Sequence, residues 1–426
     1  MSTQSNGPVR SLWVRDLGRV QFRKTGSMSA AELNAALQKP TAYSGLSTYE
    51  IFNEGDIVPE FSTENGARNG VDFYRLIYPT TIPETGRTER VSGLLAIPQI
   101  RDRHVAMVSW QHGTILDPKD APSMLINRDE IKADPAGIPR SAETLFNIVR
   151  LAGNGYILSA ADYIGNGKSK NTQAYAVKDA TNQTIQDMLK ASQAVSSLLG
   201  YSTDQLMLNG WSQGGLNTQW LGNALNQSGQ AVDRLAAASS PSDLEAVMSY
   251  WLNDYPGNPP WLTAVVPLLI GSYEKFYGMK GLMARAIKPE YLDTARRIYN
   301  KTIDWDNIEA PTNPDEGLLG LPSKPRDMIT GAFLDSFNAG KGAFHRKIVD
   351  NTALEGEFPE PSRFYGGGAD TVVPTWSSIN LPVEHQQQLG SDLAAGINVS
   401  PEATHRSTFL GSLFGAENLL PWFNAA

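Results

Sequence analysis

The chain has 426 residues, beyond the ~250–300 at which a single core usually stops growing. Hydrophobic residues make up 41% and charged residues only 19%, with 38 glycines and 26 prolines, which excludes a coiled coil, a disordered chain and a small scaffold. A net charge of −8 with no Lys/Arg cluster argues against nucleic acid as a partner, and the absence of cysteine removes disulfides, thiolate metal sites and a cysteine nucleophile together.

The N-terminus, MSTQSNGPVRSLWVRDLGRV, lacks the apolar run of a signal peptide. The expectation is a cytoplasmic protein, or the mature form of a secreted one. The first 90 residues show short strand-like pieces with little sustained periodicity; Phe73 to Tyr78 alternates like a strand, and Val91 to Pro98 reads as the next. Short, continuously apolar runs follow at Val105–Val108, Tyr156–Ala160 and Gln205–Leu208, as expected for strands buried on both faces. Between them, Ser141–Ala152 and Thr181–Leu199 repeat apolar residues at helical spacing. Strands alternating with helices predict an α/β fold, a mostly parallel sheet covered by helices.

Near Ser240 the rhythm breaks. Residues 242–345 hold helix-like stretches, such as LEAVMSYWL, WLTAVVPLLIGSYEKFY and EYLDTARRIYN, with no buried-strand run between them. They are separated by YPGNPP and by APTNPDEGLLGLPSKP at 310–325, and read as an inserted helical cap. The longest apolar stretch, Trp261 to Gly271, contains Pro267 and is too short for the ~20 residues of a membrane span. The sheet resumes at Arg363 to Gly366.

The motif that carries chemistry is Gly210-Trp211-Ser212-Gln213-Gly214-Gly215. A buried strand precedes it and a helix-forming segment follows, which is the strand–turn–helix of a nucleophile elbow. Small residues two positions either side of the serine meet the steric demand of that turn, and a helix N-terminus behind Ser212 favours developing negative charge. A nucleophilic serine needs a base, and five histidines are available: His104, His112, His345, His385 and His405. For the acid, Phe364 to Pro374 reads as a strand entering a Gly-rich turn with one carboxylate, Asp370, at its tip.

The order Ser212, Asp370, His405 resembles the α/β-hydrolase superfamily, in particular its secreted-lipase-type and esterase members with a helical cap between nucleophile and acid. The resemblance covers about residues 90–240 and 345–420. It implies a core in two parts, 91–241 and 346–426, around the cap at 242–345, with residues 1–90 as an N-terminal extension. In that family the base follows the acid after one more helix and strand. Leu381–Leu389 and Gly396–Val399 supply these, which selects His405, in a loop, over His385. Gly367-Gly368-Ala369-Asp370-Thr371-Val372-Val373-Pro374 matches the family's acid signature. The resemblance also implies an oxyanion hole of backbone N–H groups from Gln213 and from Thr114, with Gly113 the alternative, in Gln111-His112-Gly113-Thr114. His112 then shapes the loop. Asp162, in Asp162-Tyr163-Ile164-Gly165-Asn166-Gly167-Lys168-Ser169, remains a rival acid.

The resulting expectation is a serine hydrolase of carboxylic esters acting on a small-molecule ester through an acyl-enzyme, with no cofactor and, lacking an H-E-x-x-H pattern, no metal. An amidase or peptidase, and an acyltransferase, would use the same triad. A hydrolase fold kept as a binding module is the non-enzyme alternative, and would be expected to have lost a triad member. Trp211 beside the serine, with Trp261 and Phe276 from the densest apolar and aromatic stretch, are the candidate substrate contacts; their alternative role is to pack the cap on the core.

Overall fold

The computed structural model describes residues 7–38, 65–125, 141–305, 308, 313 and 315–426. Residues 1–6 of the N-terminal segment and residues 310–312 and 314 of the 310–325 separator lie outside them. Among the described residues, ten strands form one sheet: β1 (Arg10–Val14), β2 (Gly18–Met28), β3 (Val71–Ile82), β4 (Arg87–Pro98), β5 (Met107–Gln111), β6 (Ile157–Ala161), β7 (Leu206–Trp211), β8 (Arg234–Ala238), β9 (Ser362–Gly366) and β10 (Ala394–Asn398). Their order across the sheet is β1-β2-β3-β4-β6-β5-β7-β8-β9-β10. Pairing is antiparallel from β1 to β6 and parallel from β6 to β10.

The helices are, in chain order, α1 (Ala30–Gln38), α2 (Ala142–Arg150), α3 (Lys178–Leu198), α4 (Gln213–Gln227), α5 (Leu244–Asn253), α6 (Val265–Phe276), α7 (Leu282–Ala286), α8 (Pro289–Tyr299), α9 (Pro325–Met328), α10 (Gly331–Asn338), α11 (Gly342–Asp350), α12 (Leu381–Gln388), α13 (His405–Phe414) and α14 (Leu419–Phe423). Every residue of β5, β6 and β7 is buried, as the continuous apolar runs predict for strands covered on both faces. On one face Val108, Trp110, Met207 and Tyr365 pack with residues of α1, α2, α13 and α14. On the other, Met107, Leu208, Ala237 and Phe364 meet Ile185, Met188 and Leu189 of α3 and Leu221 and Leu225 of α4.

Residues from α5 to α11 form a third apolar cluster, which reaches back to Tyr175, Leu216 and Trp220 and to Val372 and Val373 beside Asp370. The described part of residues 1–90 joins the main sheet through β1, β2 and β3. β8 has no counterpart in the sequence reading. Its sequence, RLAAA, carries none of the β-branched residues that mark a strand, and its place between β7 and β9 supplies the pairing instead.

Parallel pairing sets the position of the site. Gln111 pairs with Gly210, Trp211 with Ala238, and Ala238 with Tyr365, so β5, β7, β8 and β9 end side by side. The loops leaving them converge at the carboxyl edge of the sheet, where open α/β sheets bind ligands.

Candidate active site

Ser212 stands between β7 and α4 with φ 57° and ψ −123°, a strained conformation for a residue with a side chain. The neighbouring glycines make the turn possible. A Cβ on Gly210 would overlap the Gly214 carbonyl and the Thr218 hydroxyl, and one on Gly214 would overlap the Gln111 carbonyl. The start of α4 therefore lies directly against the loop after β5. The Ser212 N–H donates to the Ala238 carbonyl at 2.9 Å, which ties the elbow to the next strand.

The Ser212 hydroxyl donates to His405 Nε2 at 2.9 Å, and His405 Nδ1–H donates to Asp370 Oδ2 at 2.9 Å. All three side chains are buried. Asp370 Oδ1 accepts the N–H groups of Val372 and Val373, each at 2.9 Å, so the turn itself aims the carboxylate at the imidazole. Gly367 and Gly368 let this turn close on the chain before α13, since a Cβ on either would overlap the Ala403 or Pro401 carbonyl.

His405 is the first residue of α13 rather than part of a loop. Thr404 caps the helix in a capping box with Ser407: the Ser407 N–H donates to the Thr404 hydroxyl and the Thr404 N–H to the Ser407 hydroxyl. The polar run Thr404-His405-Arg406-Ser407 carried that signal. The other histidines lie elsewhere. His345, on α11, faces Glu245 of α5 at 3.3 Å, His385 faces the Glu355 carbonyl, and His104 is exposed near Asp204.

His112 is stacked on Tyr163 with ring centroids 4.0 Å apart. Burial lowers its pKa to about 4, so the ring is neutral at physiological pH. Its closer contact, 2.7 Å from Nδ1 to the Gly113 carbonyl, takes the ring proton, so it shapes the loop. The Gly113 N–H donates to Glu143 Oε2 at 3.1 Å. Among the described residues, neither the Thr114 nor the Gln213 N–H has a hydrogen-bond partner. Asp162 is buried at the end of β6, where its carboxylate accepts from the hydroxyls of Ser92 and Ser123, both at 2.5 Å, and from the Ser123 N–H. Those donors tie its carboxylate to β4 and to the loop after β5, while His112 Nε2 meets its backbone carbonyl at 3.3 Å.

Of the candidate substrate contacts, Trp261 lies beside His405, with ring centroids 6.0 Å apart. Trp211 and Phe276 are placed differently. The Trp211 N–H donates to the His405 carbonyl at 3.1 Å and its ring packs on His405 and Phe409, so it backs the histidine and is 2% exposed. Phe276, at the end of α6, is buried with the sheet residues on the α3 side instead of with the cap residues around Trp261. Helical periodicity marks an apolar residue without saying which of two cores receives it.

Three further contributors went unread in these roles; Trp251 reads only as part of the apolar and aromatic stretch. Glu143, Tyr250 and Trp251 bond the loops at the site, but single polar or aromatic residues on distant helices carry no motif.

The prolyl oligopeptidase family matches residues 142–261, a segment that holds the elbow and ends before Asp370 and His405. No curated protein matches by sequence. Among solved structures, the chain is similar to a Legionella pneumophila protein described as a hydrolase, at 18% identity and TM-score 0.74, covering 95% of this chain and 96% of that one. It is also similar to the rice-cell-wall-degrading esterase LipA of Xanthomonas oryzae, at 18% identity and TM-score 0.68, covering 91% and 92%. Candida antarctica lipase A aligns at 15% identity and TM-score 0.58, covering 87% and 81%. With a helix-covered, mostly parallel sheet, a serine elbow at its edge and these neighbours, the chain is an α/β-hydrolase in fold.

Proposed function

We propose that the chain is a serine hydrolase of carboxylic esters. The observation that carries the reading is the unbroken chain of 2.9 Å hydrogen bonds from Ser212 through His405 to Asp370. His405 Nε2 takes the hydroxyl proton as Ser212 Oγ attacks the ester carbonyl, and Asp370 holds the tautomer that leaves Nε2 free. The N–H groups of Gln213 and Thr114 receive the oxyanion. The alcohol leaves with the proton from His405, and water activated by the same base hydrolyses the acyl-enzyme. This chemistry calls for no cofactor or metal. The partner is a small-molecule ester that enters beneath the cap beside Trp261. Among the described residues no helix is long and apolar enough to cross a membrane.

An ester is favoured because two of the structural neighbours are described as an esterase and a lipase. A peptidase reading stands second, supported by the prolyl oligopeptidase match over 142–261. The test is a chain-length series of p-nitrophenyl esters beside matched anilides, with a fluorophosphonate probe to label the nucleophile. Ester turnover with labelling of Ser212, both abolished in Ser212→Ala, is expected. Faster cleavage of anilides would favour the peptidase, and labelling at another residue would end the assignment.

A further inference from the structure

We propose that Glu143 is a positioning residue for the oxyanion site: a carboxylate strut that ties the loop after β5 to the start of the histidine helix and leaves Thr114 N–H as the free donor. The proposal rests on the ester-hydrolase reading above.

The loop needs such a strut because of Gly113. A Cβ there would stand 2.7 Å from the Trp211 ring, so only glycine fits, and glycine leaves its two flanking peptides free to rotate. Both peptides are held from outside. Glu143, in the first turn of α2, accepts the Gly113 N–H at 3.1 Å and so fixes the peptide before the glycine. His112 Nδ1 holds the Gly113 carbonyl at 2.7 Å and fixes the peptide after it. In a trans peptide the N–H points opposite to the preceding carbonyl, so pinning the Gly113 oxygen also orients the Thr114 N–H.

Glu143 extends the arrangement to the base. Its Oε1 pairs with the Arg406 guanidinium at 3.4 Å, and Arg406 directly follows His405. That guanidinium lies over the rings of Trp211, at 5.3 Å, and Trp261, at 5.9 Å, while Trp211 donates to the His405 carbonyl. One carboxylate thus connects the donor loop, the base and, through Arg406, the Trp261 ring beside His405. Burial pushes the Glu143 carboxyl up, and Arg406, the Gly113 N–H and His405 oppose that rise.

The experiment compares wild type with Glu143→Ala, which removes both contacts, and Glu143→Gln, which keeps an acceptor for Gly113 but loses the charge. Turnover of p-nitrophenyl acetate gives kcat and KM. Affinity for a trifluoromethyl ketone, whose adduct places an oxyanion in the hole, reports the donors separately from a general loss of folding. We expect Glu143→Ala to lose about 100-fold in kcat and in ketone affinity together, with KM within about twofold, on the scale of a displaced oxyanion donor. Glu143→Gln should lose about three- to tenfold in both. Should the alanine variant fail to fold, the glutamine variant alone decides, by the same parallel loss. Unchanged values in the folded variants, or a kcat loss with full ketone affinity, would overturn the strut while leaving the ester reading intact. A wild type that neither turns over esters nor labels at Ser212 would remove both.

Discussion

Replacing Asp370 by asparagine tests whether this carboxylate, or Asp162, is the acid of the site. Asp370 accepts from His405 Nδ1–H through one oxygen and from the Val372 and Val373 N–H groups through the other. In Asp370→Asn the amide oxygen can keep the two backbone donors, so the turn should persist and stability should change little. The amide nitrogen then faces His405 Nδ1, and two donors would oppose each other at 2.9 Å. The imidazole relieves this by moving its proton to Nε2, where it points at Ser212 Oγ and can no longer accept the hydroxyl proton. Loss of the tautomer costs about 10⁴ in kcat in a serine triad. That factor is about 5.5 kcal/mol of transition-state stabilisation. The assay is kcat on p-nitrophenyl acetate, with the fluorophosphonate labelling rate of Ser212 as a second readout and the melting temperature as a control. Asp162→Asn should act the other way. It disturbs the bonds to Ser92 and Ser123, lowers the melting temperature, and leaves kcat of the folded fraction nearly unchanged. If Asp162→Asn stopped turnover in a folded protein while Asp370→Asn remained active, the acid assignment would be wrong.

Two shorter predictions concern the scaffold. Gly214→Ala places a methyl group on the backbone carbonyl of Gln111, which cannot move aside as a side chain can, so expression as folded protein or kcat should fall at least tenfold; near wild-type values for both would contradict the close approach. Glu360 is buried with Oε1 unpartnered among the described residues, and burial raises its pKa from 4.5 to about 7. The folded state therefore binds a proton that the unfolded state has lost, and stability drains away as pH rises from 4.5 through 7, by at most about 3 kcal/mol at 1.36 kcal/mol per unit. Glu360→Gln should melt above wild type at pH 8 and close to it at pH 4, and a difference independent of pH would contradict the assignment.

How much could be read from the sequence follows from how local each feature is. The elbow and the acid turn are written into consecutive residues, because small side chains at Gly210, Gly214 and Gly367 are required by contacts made within a few ångströms. The buried strands were equally legible, since burial on both faces demands unbroken apolar runs. Choosing His405 from five histidines took the chain order of a known family, as its partners lie 35 and 193 residues away. Glu143 could not be read at all. Its bonds to Gly113 and Arg406 span 30 and 263 residues, and a glutamate in the first turn of a helix is already accounted for by the helix dipole. Phe276 and Trp211 show the same limit for apolar residues: the pattern marks them as buried, while the face that receives them is decided by tertiary packing.

Helices of residues 242–345 contact the Ser212–His405–Asp370 cluster in two separable ways, and substitution can tell them apart. From α5, Tyr250 donates its hydroxyl to the Thr371 carbonyl at 2.9 Å and Trp251 donates its N–H to the Val372 carbonyl at 2.8 Å, while Thr371 donates to the Asn258 carbonyl. These bonds hold the turn whose N–H groups orient Asp370. Trp261 instead places its ring beside His405, and its own N–H is buried without a partner among the described residues. Trp251→Phe keeps the ring and removes one donor, worth about 1 kcal/mol net, so kcat should fall by a factor of about 3 to 10 on every ester alike. Trp261→Ala opens space beside His405. It should shift kcat/KM between acetate and octanoate esters by about 1–3 kcal/mol, the range for an apolar group at a specificity pocket. The measurement is the same chain-length series on both variants, read as a ratio of esters and accompanied by melting temperatures. Equal losses on all esters in Trp261→Ala, together with a lower melting temperature, would make Trp261 a packing residue and leave the pocket to be sought elsewhere among residues 242–345.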